Sequence, residues 1–298
     1  MTFDISELSE FKEQIRKNYD LKHLTWFKVG GKADIFFKPA NLESLSLLLK
    51  QNAQKLPISI LGACSNIIIR DGGIEGIVIK LGNEFSKIEI TDDTLRVGAS
   101  CLNYNLAKFC LANSLTGLEF LIGIPGTIGG GVTMNAGAYG SEFKDILLQV
   151  EVITSQGDVL KIDSKDIIFG YRVNNLPVDY IITHATFKLV RGSQVQINTL
   201  MNQISDNRLK TQPIKEKTCG STFANSINFK AWQLIDQAGL RGYRIGNVSV
   251  SAMHCNFMIN HGDASAKELE DLGDFVKAKV FSFSGIELKW EIKIIGRK

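Results

Sequence analysis

The sequence predicts an α+β protein of two or three closely packed units, on three observations. Apolar runs in β-α-β-β order fill the first 83 residues, strand-like runs dominate from 85 to 191, and helix-spaced apolar residues return beyond 200. A chain of 298 residues already stretches a single hydrophobic core, which favours division. The expected boundaries are 1–84, 85–200 and 201–285, with 286–298 returning to the first unit as a closing strand.

Each element has its own signal. Ile5, Leu8, Phe11 and Ile15 recur at helical spacing and predict an amphipathic helix over 4–17. ADIFFKP (33–39) reads as a strand. Asn41 then offers an N-cap to a helix that carries Leu42, Leu45, Leu48 and Leu49 on one face. ISIL (58–61), NIII (66–69) and GIVIKL (76–81) are strands separated by glycine-containing turns. In the middle, KIEI, TLRVGA, LLQVEVIT and YIITHATFKLV predict strands around one helix near 102–113 and one glycine-rich segment. NFKAWQLIDQAGL (228–240) predicts a helix starting at Asn228 and ending at Gly239, and 264–281 a longer one. IELKWEIKII (286–295) predicts a long last strand.

Composition narrows the function classes. Lys plus Arg number 34 against 31 Asp plus Glu, a net charge of +3, and mean hydropathy is +0.03. Disorder, a collagen-like repeat and a basic polyanion binder are excluded, so no nucleic-acid partner is expected. Cys64, Cys101, Cys110, Cys219 and Cys255 form neither a disulfide framework nor a zinc pattern, and His23, His184, His254 and His261 make no H-E-x-x-H. No metal is expected. MTFDISELSEF lacks a basic start before an apolar run, and no apolar stretch approaches a membrane span. A cytoplasmic protein without membrane insertion is expected, with a monomer as the default state.

Glycine is the unusual entry in the composition. Seven of 27 glycines fall within GIPGTIGGGVTMNAGAYG (123–140). Such a segment allows positive φ and close approach by a ligand, and successive N–H groups can form an anion-binding nest. LGACSNIIIRDGG (61–73) is a second candidate: strand, tight polar turn, strand. Two loops of this kind favour one large ligand contacted from both. Neither G-x-G-x-x-G after a strand nor G-x-x-x-x-G-K-[ST] occurs, so any dinucleotide sits on a different scaffold.

At these residues a resemblance enters. LTWFKVGGKAD (24–34), LGACSNIIIRDGGIEGIVIKL (61–81), GLEFLIGIPGTIGGGVTMNAGAYGSE (117–142), FGYR (169–172), CGSTFAN (219–225), AWQLIDQAGLRGYRIGNVSVSAMHCNFMIN (231–260) and GIELKWEIKIIG (285–296) occur in one order. That ordered set resembles the UDP-N-acetylenolpyruvoylglucosamine reductase family, from about residue 20 to 296. The resemblance implies the two-part FAD-binding fold of the vanillyl-alcohol oxidase (PCMH-type) superfamily over 1–84 and 85–200. A C-terminal α+β substrate domain over 201–285 would complete it, in the subtype without a tyrosine-bearing insertion. It also implies non-covalent FAD, NADPH as hydride-donating co-substrate and UDP-N-acetylglucosamine enolpyruvate as substrate, in peptidoglycan synthesis.

The resemblance carries over residue by residue. Arg172 matches the cation for the substrate carboxylate. Arginine is scarce here, 9 against 25 Lys, and its planar fork suits a carboxylate. Ser221 matches the proton donor and Glu291 the carboxylate that completes the catalytic group. Asn225 matches the asparagine for the UDP-sugar, Lys210 or nearby Arg208 would meet the diphosphate, and Asn256, beside His254, would line the enolpyruvyl pocket. For FAD the matching positions are Gly62, Ser65 and Asn66 on the first loop. On the second they are Gly123, Pro125, Gly126, Gly129, Gly130, Ala136 and Gly137. Two departures stand out. Cys64 occupies a position where the family commonly has glycine, so its backbone is expected either in a conformation open to any residue or on a shifted loop, with the thiol buried. Ser226 replaces a frequent proline and is expected to loosen the turn after Asn225.

Overall fold

The computed structural model describes residues 11–52 and 56–298, and the chain divides into two compact units. Among the described residues, one holds 11–17, Ile35–Ala63 and Gly76–Asp206; the other holds Asn18–Asp34, Cys64–Glu75 and Asn207–Lys298.

A four-stranded sheet runs in the order Ile15–Asp20, Lys32–Phe37, Ile74–Ile79, Ile58–Ile60. The last two strands are parallel, Ile58 opposite Ile77 and Ile60 opposite Ile79. Helix Leu42–Asn52 buries Leu45, Leu48 and Leu49 in one cluster with Phe11, Ile35, Phe37, Ile77 and Ile79. Asn41 starts this helix by side-chain capping, its Oδ1 accepting from Ser44 N at 2.9 Å. The helix expected over 4–17 lies outside the described residues for 4–10 and is corrected beyond them. Phe11 turns into the core, 5.5 Å from the Phe37 ring, and Ile15–Asp20 is a strand. A turn closed by Gln14 N donating to Phe11 O at 2.7 Å separates the two, and Lys38 N donates to Gln14 O at 2.9 Å as the strand begins.

A larger antiparallel sheet lies in the first unit, in the order Val159–Asp163, Leu147–Ile153, Ile181–Lys188, Thr94–Gly98, Ile88–Thr91. The apolar sides of helices Asn103–Ala112 and Ile128–Thr133 join Val150, Val152, Ala185 and Phe187 in its core. One helix escaped the sequence reading: Gln194–Thr211 buries only Ile197, Met201 and Ile204. Ile197, Leu200, Met201 and Ile204 do carry helical spacing in the sequence, a short stripe set among polar residues.

The second unit has a three-stranded sheet, Arg244–Ile245, Val248–Val250 and Met258–Asn260. Helices Ala231–Gln237 and Ala266–Ser284 pack with it through Leu234, Ile235, Val250, Met258, Leu269, Leu272 and Val276. Ser265 and Glu268 form a capping box at the start of the longer helix. The Asp71 carboxylate also accepts from Ala266 N (2.9 Å) and Lys267 N (3.0 Å). The shorter helix does not start at Asn228: Lys230 is its N-cap, and the Asn225 side chain accepts from Ala231 N at 3.0 Å. The closing strand is Lys293–Ile295, parallel to Ile67–Ile69, with Lys293 opposite Ile67. It is shorter than the predicted 286–295 because the segment before it is bound to another stretch of chain. Ala224 N donates to Lys289 O (2.8 Å) and Glu291 N to Thr222 O (2.9 Å).

Candidate active site

In the first unit, the two glycine-bearing loops meet. A Cβ on Gly62 would stand 2.7 Å from Thr127 Oγ1, so glycine is what lets the loops touch. Lys80 Nζ donates to the Gly62 carbonyl from the end of the neighbouring strand. Across the second loop, Asn103 holds the backbone on both sides of Pro125: Asn103 N donates to Gly126 O at 3.0 Å and Nδ2 to Ile124 O at 3.1 Å. Its Oδ1 is buried without a protein partner. Gly123 lies directly under the Tyr139 ring, where a Cβ would come within 2.6 Å of Cε2.

The glycine run after Thr127 corrects the expectation of an open nest. Gly129–Gly131 belong to helix Ile128–Thr133. Gly129 N donates to Ala99 O at 2.9 Å, and Gly130 N donates to Thr127 Oγ1 at 3.3 Å. A Cβ on Gly131 would lie 2.2 Å from Phe143 Cζ. These glycines serve close packing, and the N–H groups of Gly129 and Gly130 are already engaged. Ala136 and Gly137 follow, with Gly137 paired to Glu142 across a short antiparallel turn.

Arg172 sits beside that turn. Phe169–Gly170 and Val173–Asn174 form a hairpin with Tyr171 and Arg172 at its tip. Arg172 has φ +60°, in a turn position that favours glycine or asparagine and costs about 1 kcal/mol for other residues. Its Nη2 donates to Gly137 O at 3.3 Å, and its guanidinium carbon lies 5.0 Å from the Tyr171 ring centroid. Arg172 is thereby joined to Gly137, one of the positions carried over for the cofactor.

In the second unit, Ser65, Asn66, Ser221, Asn256 and Glu291 belong to one knot of chain. Asn66 Nδ2 donates to Glu291 O at 3.2 Å, and Lys293 N donates to Asn66 O at 3.1 Å. Cys219 Sγ faces the carbonyls of Cys64 (3.7 Å) and Ile67 (3.6 Å), which ties the segment before Ser221 to the 64–67 turn. Gly220, at φ +78°, borders open space. The hydroxyls of Thr218 and Thr222, on either side of Ser221 in sequence, are buried without protein partners. Asn256 is only 2% exposed. Its Oδ1 accepts from Phe223 N (2.9 Å), its Nδ2 donates to Phe223 O (2.8 Å), and its carbonyl accepts from Thr222 N (2.7 Å). Its side chain therefore clamps Phe223, and its carbonyl holds Thr222, the residue after Ser221. Sequence spacing carried no hint of that clamp, because the pair is 33 residues apart.

The remaining expectations resolve simply. Asn225 uses Oδ1 to cap helix Ala231–Gln237. Lys210 is exposed in the last turn of Gln194–Thr211, and Arg208 Nε donates to Gln212 Oε1 at 3.0 Å. His254 Nδ1 accepts from Asn256 N at 3.2 Å, and burial holds its pKa below the usual histidine value. Cys64 corrects the expected backbone: φ is +52°, the left-handed region, and the side chain is 6% exposed. Burial pushes the Cys219 thiol up to about 12, which leaves it protonated and inert near neutrality. Ser226 tightens its turn where loosening was expected: its Oγ accepts from Asn228 N (3.2 Å) and Phe229 N (3.3 Å).

Comparisons with known proteins give these features a family. Residues 33–163 match the FAD binding domain, and 212–295 match the C-terminal domain of UDP-N-acetylenolpyruvoylglucosamine reductase. The chain is 64% identical over 286 residues to the UDP-N-acetylenolpyruvoylglucosamine reductase of Rickettsia felis, covering 96% of this chain and 97% of the relative. Against the Rickettsia akari protein of the same name the figures are 63% over 290 residues, 97% and 98%. The crystal structure of UDP-N-acetylenolpyruvylglucosamine reductase from Thermus caldophilus aligns with a TM-score of 0.83 at 32% identity, over 95% of this chain and 98% of that one. The chain belongs to the UDP-N-acetylenolpyruvoylglucosamine reductase family.

Proposed function

We propose that this chain reduces the enolpyruvyl ether of UDP-N-acetylglucosamine enolpyruvate to the lactyl ether of UDP-N-acetylmuramate, with NADPH as hydride donor, in peptidoglycan synthesis. The observation that carries the reading is the high identity along nearly the whole chain to reductases of that name. The chain is an FAD-dependent oxidoreductase of that family, and its residues fit the cofactor. Two glycine loops meet at Gly62 and Thr127, and a buried carbonyl oxygen of Asn103 has no protein partner beside the second loop. Gly62, Ser65 and Asn66 on the first loop and Gly123, Pro125, Gly126, Ala136 and Gly137 on the second would hold it. When bound, FAD supplies the hydride chemistry.

The side chains divide the remaining work. Negative charge develops on the substrate carboxylate and α-carbon as the double bond is reduced. Arg172, its guanidinium steadied on Gly137 O and the Tyr171 ring, meets that charge, and the attraction strengthens as charge builds. Ser221 Oγ donates the proton that completes the α-carbon, and Glu291 is the carboxylate of the catalytic group. Asn225, whose Nδ2 is left by the capping bond, meets the UDP-sugar. Lys210, at the exposed helix end, meets the diphosphate. Asn256 keeps the Ser221 segment in place. The first two expected units form the cofactor half and 201–285 the substrate half. Among the described residues no helix is long and apolar enough to cross a membrane. We place the enzyme in the cytoplasm, where NADPH is kept and where thiols stay reduced.

The test is the visible spectrum of the purified protein loaded with FAD. Flavin absorbance bleaches with NADPH and returns on anaerobic addition of UDP-N-acetylglucosamine enolpyruvate. Reoxidation by simple aldehyde or ketone acceptors, with none by the enolpyruvyl compound, would point to another oxidoreductase on the same scaffold.

A further inference from the structure

We infer that Asn135 is a positioning residue for Arg172: its buried amide fixes the Arg172 hairpin to the loop that ends at Gly137. The inference rests on the role of Arg172 proposed above. Asn135 is 1% exposed and takes φ +37°, a left-handed conformation that asparagine tolerates better than most side chains. Its Nδ2 donates to Gly170 O at 3.1 Å and to Glu142 Oε2 at 2.7 Å, and its Oδ1 accepts from Lys144 N at 3.0 Å. One amide thus ties its own loop to the 142–144 turn and to the Arg172 hairpin.

The hairpin needs such an anchor. It has two residues per strand, too few to be stable alone, and its tip carries an arginine in a conformation that favours glycine. Asn135 binds the carbonyl two residues before Arg172, while Gly137, two residues after Asn135, receives the guanidinium. Asn174 closes the far side, with Nδ2 near the carbonyls of Val132 (3.0 Å) and Thr133 (3.2 Å). The hairpin is therefore seated along 132–137 by its base, its tip and its exit. The Asn135 amide also bonds Glu142 and Lys144, so it ties the base of the hairpin to the turn that pairs with Gly137. No charge in the sequence marks this role.

Asn135→Gly tests it, because glycine accepts the positive φ while the amide is lost. The FAD-loaded variant is compared with wild type by rapid mixing, alongside FAD affinity and thermal stability. Flavin reduction by NADPH should stay within about threefold, while reoxidation by UDP-N-acetylglucosamine enolpyruvate slows by about 10- to 100-fold, the scale of a misplaced catalytic group. In the Arg172→Ala background the same substitution should slow reoxidation no further, since its effect passes through Arg172. Equal slowing of both half-reactions, wild-type reoxidation, or a loss that multiplies onto Arg172→Ala would overturn the inference. If Arg172→Ala itself reoxidises at the wild-type rate, the Arg172 assignment falls and this inference with it. Should the glycine variant not retain FAD, Asn135→Ser, which keeps one donor for Gly170 O, is held to the same criteria.

Discussion

The two units secure their proposed catalytic groups by opposite means. In the first, Arg172 stands at the tip of a two-stranded hairpin, at φ +60°, held by side-chain amides and by a carbonyl under its guanidinium. In the second, Ser221 and Glu291 sit on two backbone segments laced together, 222–224 against 289–291, with Phe223 and Trp290 forming the bridge. The lesson concerns what each site can tolerate. The amides that hold the two-stranded hairpin can be removed with modest loss of fold and a large loss of position. A laced backbone cannot be shifted without losing stability as well.

Gly273→Ala should give the largest effect. A Cβ there would stand 1.9 Å from Trp290 Cη2, inside the ring, so Trp290 must move and carry the Glu291 backbone with it. A stability loss of about 3 kcal/mol is expected from such overpacking, together with slower reoxidation by the enolpyruvyl substrate. Thermal melts and rapid mixing check both. Retained stability with slowed reoxidation would break the contrast drawn above. Asn256→Ala comes next, with a loss of about 2 kcal/mol from leaving the buried Phe223 N–H and carbonyl unpaired.

The third prediction concerns pH and belongs to the first unit. Arg96 hydrogen-bonds both Glu151 oxygens, at 2.8 and 2.9 Å, and holds the carboxyl below its ordinary pKa, while burial holds His184 below the usual histidine value. Glu151 contributes stability above the ordinary carboxylate range, lost as pH falls through its lowered folded pKa. For His184, the unfolded chain takes up a proton first as pH drops below about 6.5, so acid again favours unfolding. The melting temperature should therefore fall in two steps as pH drops, one below about pH 6.5 from His184 and a lower one below the ordinary carboxylate value of about 4.3 from Glu151. Glu151→Gln should remove the lower step and cost about 1–2 kcal/mol at pH 7. A melting profile of unchanged shape would contradict it. Ser226→Ala is the smallest effect, about 0.5 kcal/mol from a lost capping hydroxyl in an exposed turn, measured by thermal melts with unchanged turnover.

Much of this was legible in the sequence because some signals are local. Asn41 capping a leucine-striped helix and the strands at 147–154 and 180–190 follow from spacing alone, and two glycine loops pointed to a large ligand. What stayed hidden is long-range. Nothing near Asn256 shows that its amide serves Phe223, and nothing near Asn135 shows that it holds Gly170. The glycine run at 129–131 misled for a related reason. Composition cannot distinguish a glycine that admits a ligand from one that admits Phe143. Cys64 reads as a departure in sequence, yet its backbone keeps the left-handed form glycine would take.

The most direct test of the central claim is rapid mixing of the FAD-loaded Ser221→Ala protein, first with NADPH and then with UDP-N-acetylglucosamine enolpyruvate. The assignment predicts that flavin reduction keeps its wild-type rate, while reoxidation slows by at least about 100-fold, the lower range for a lost general acid. Equal slowing of both half-reactions, or reoxidation at the wild-type rate, would contradict the role given to Ser221.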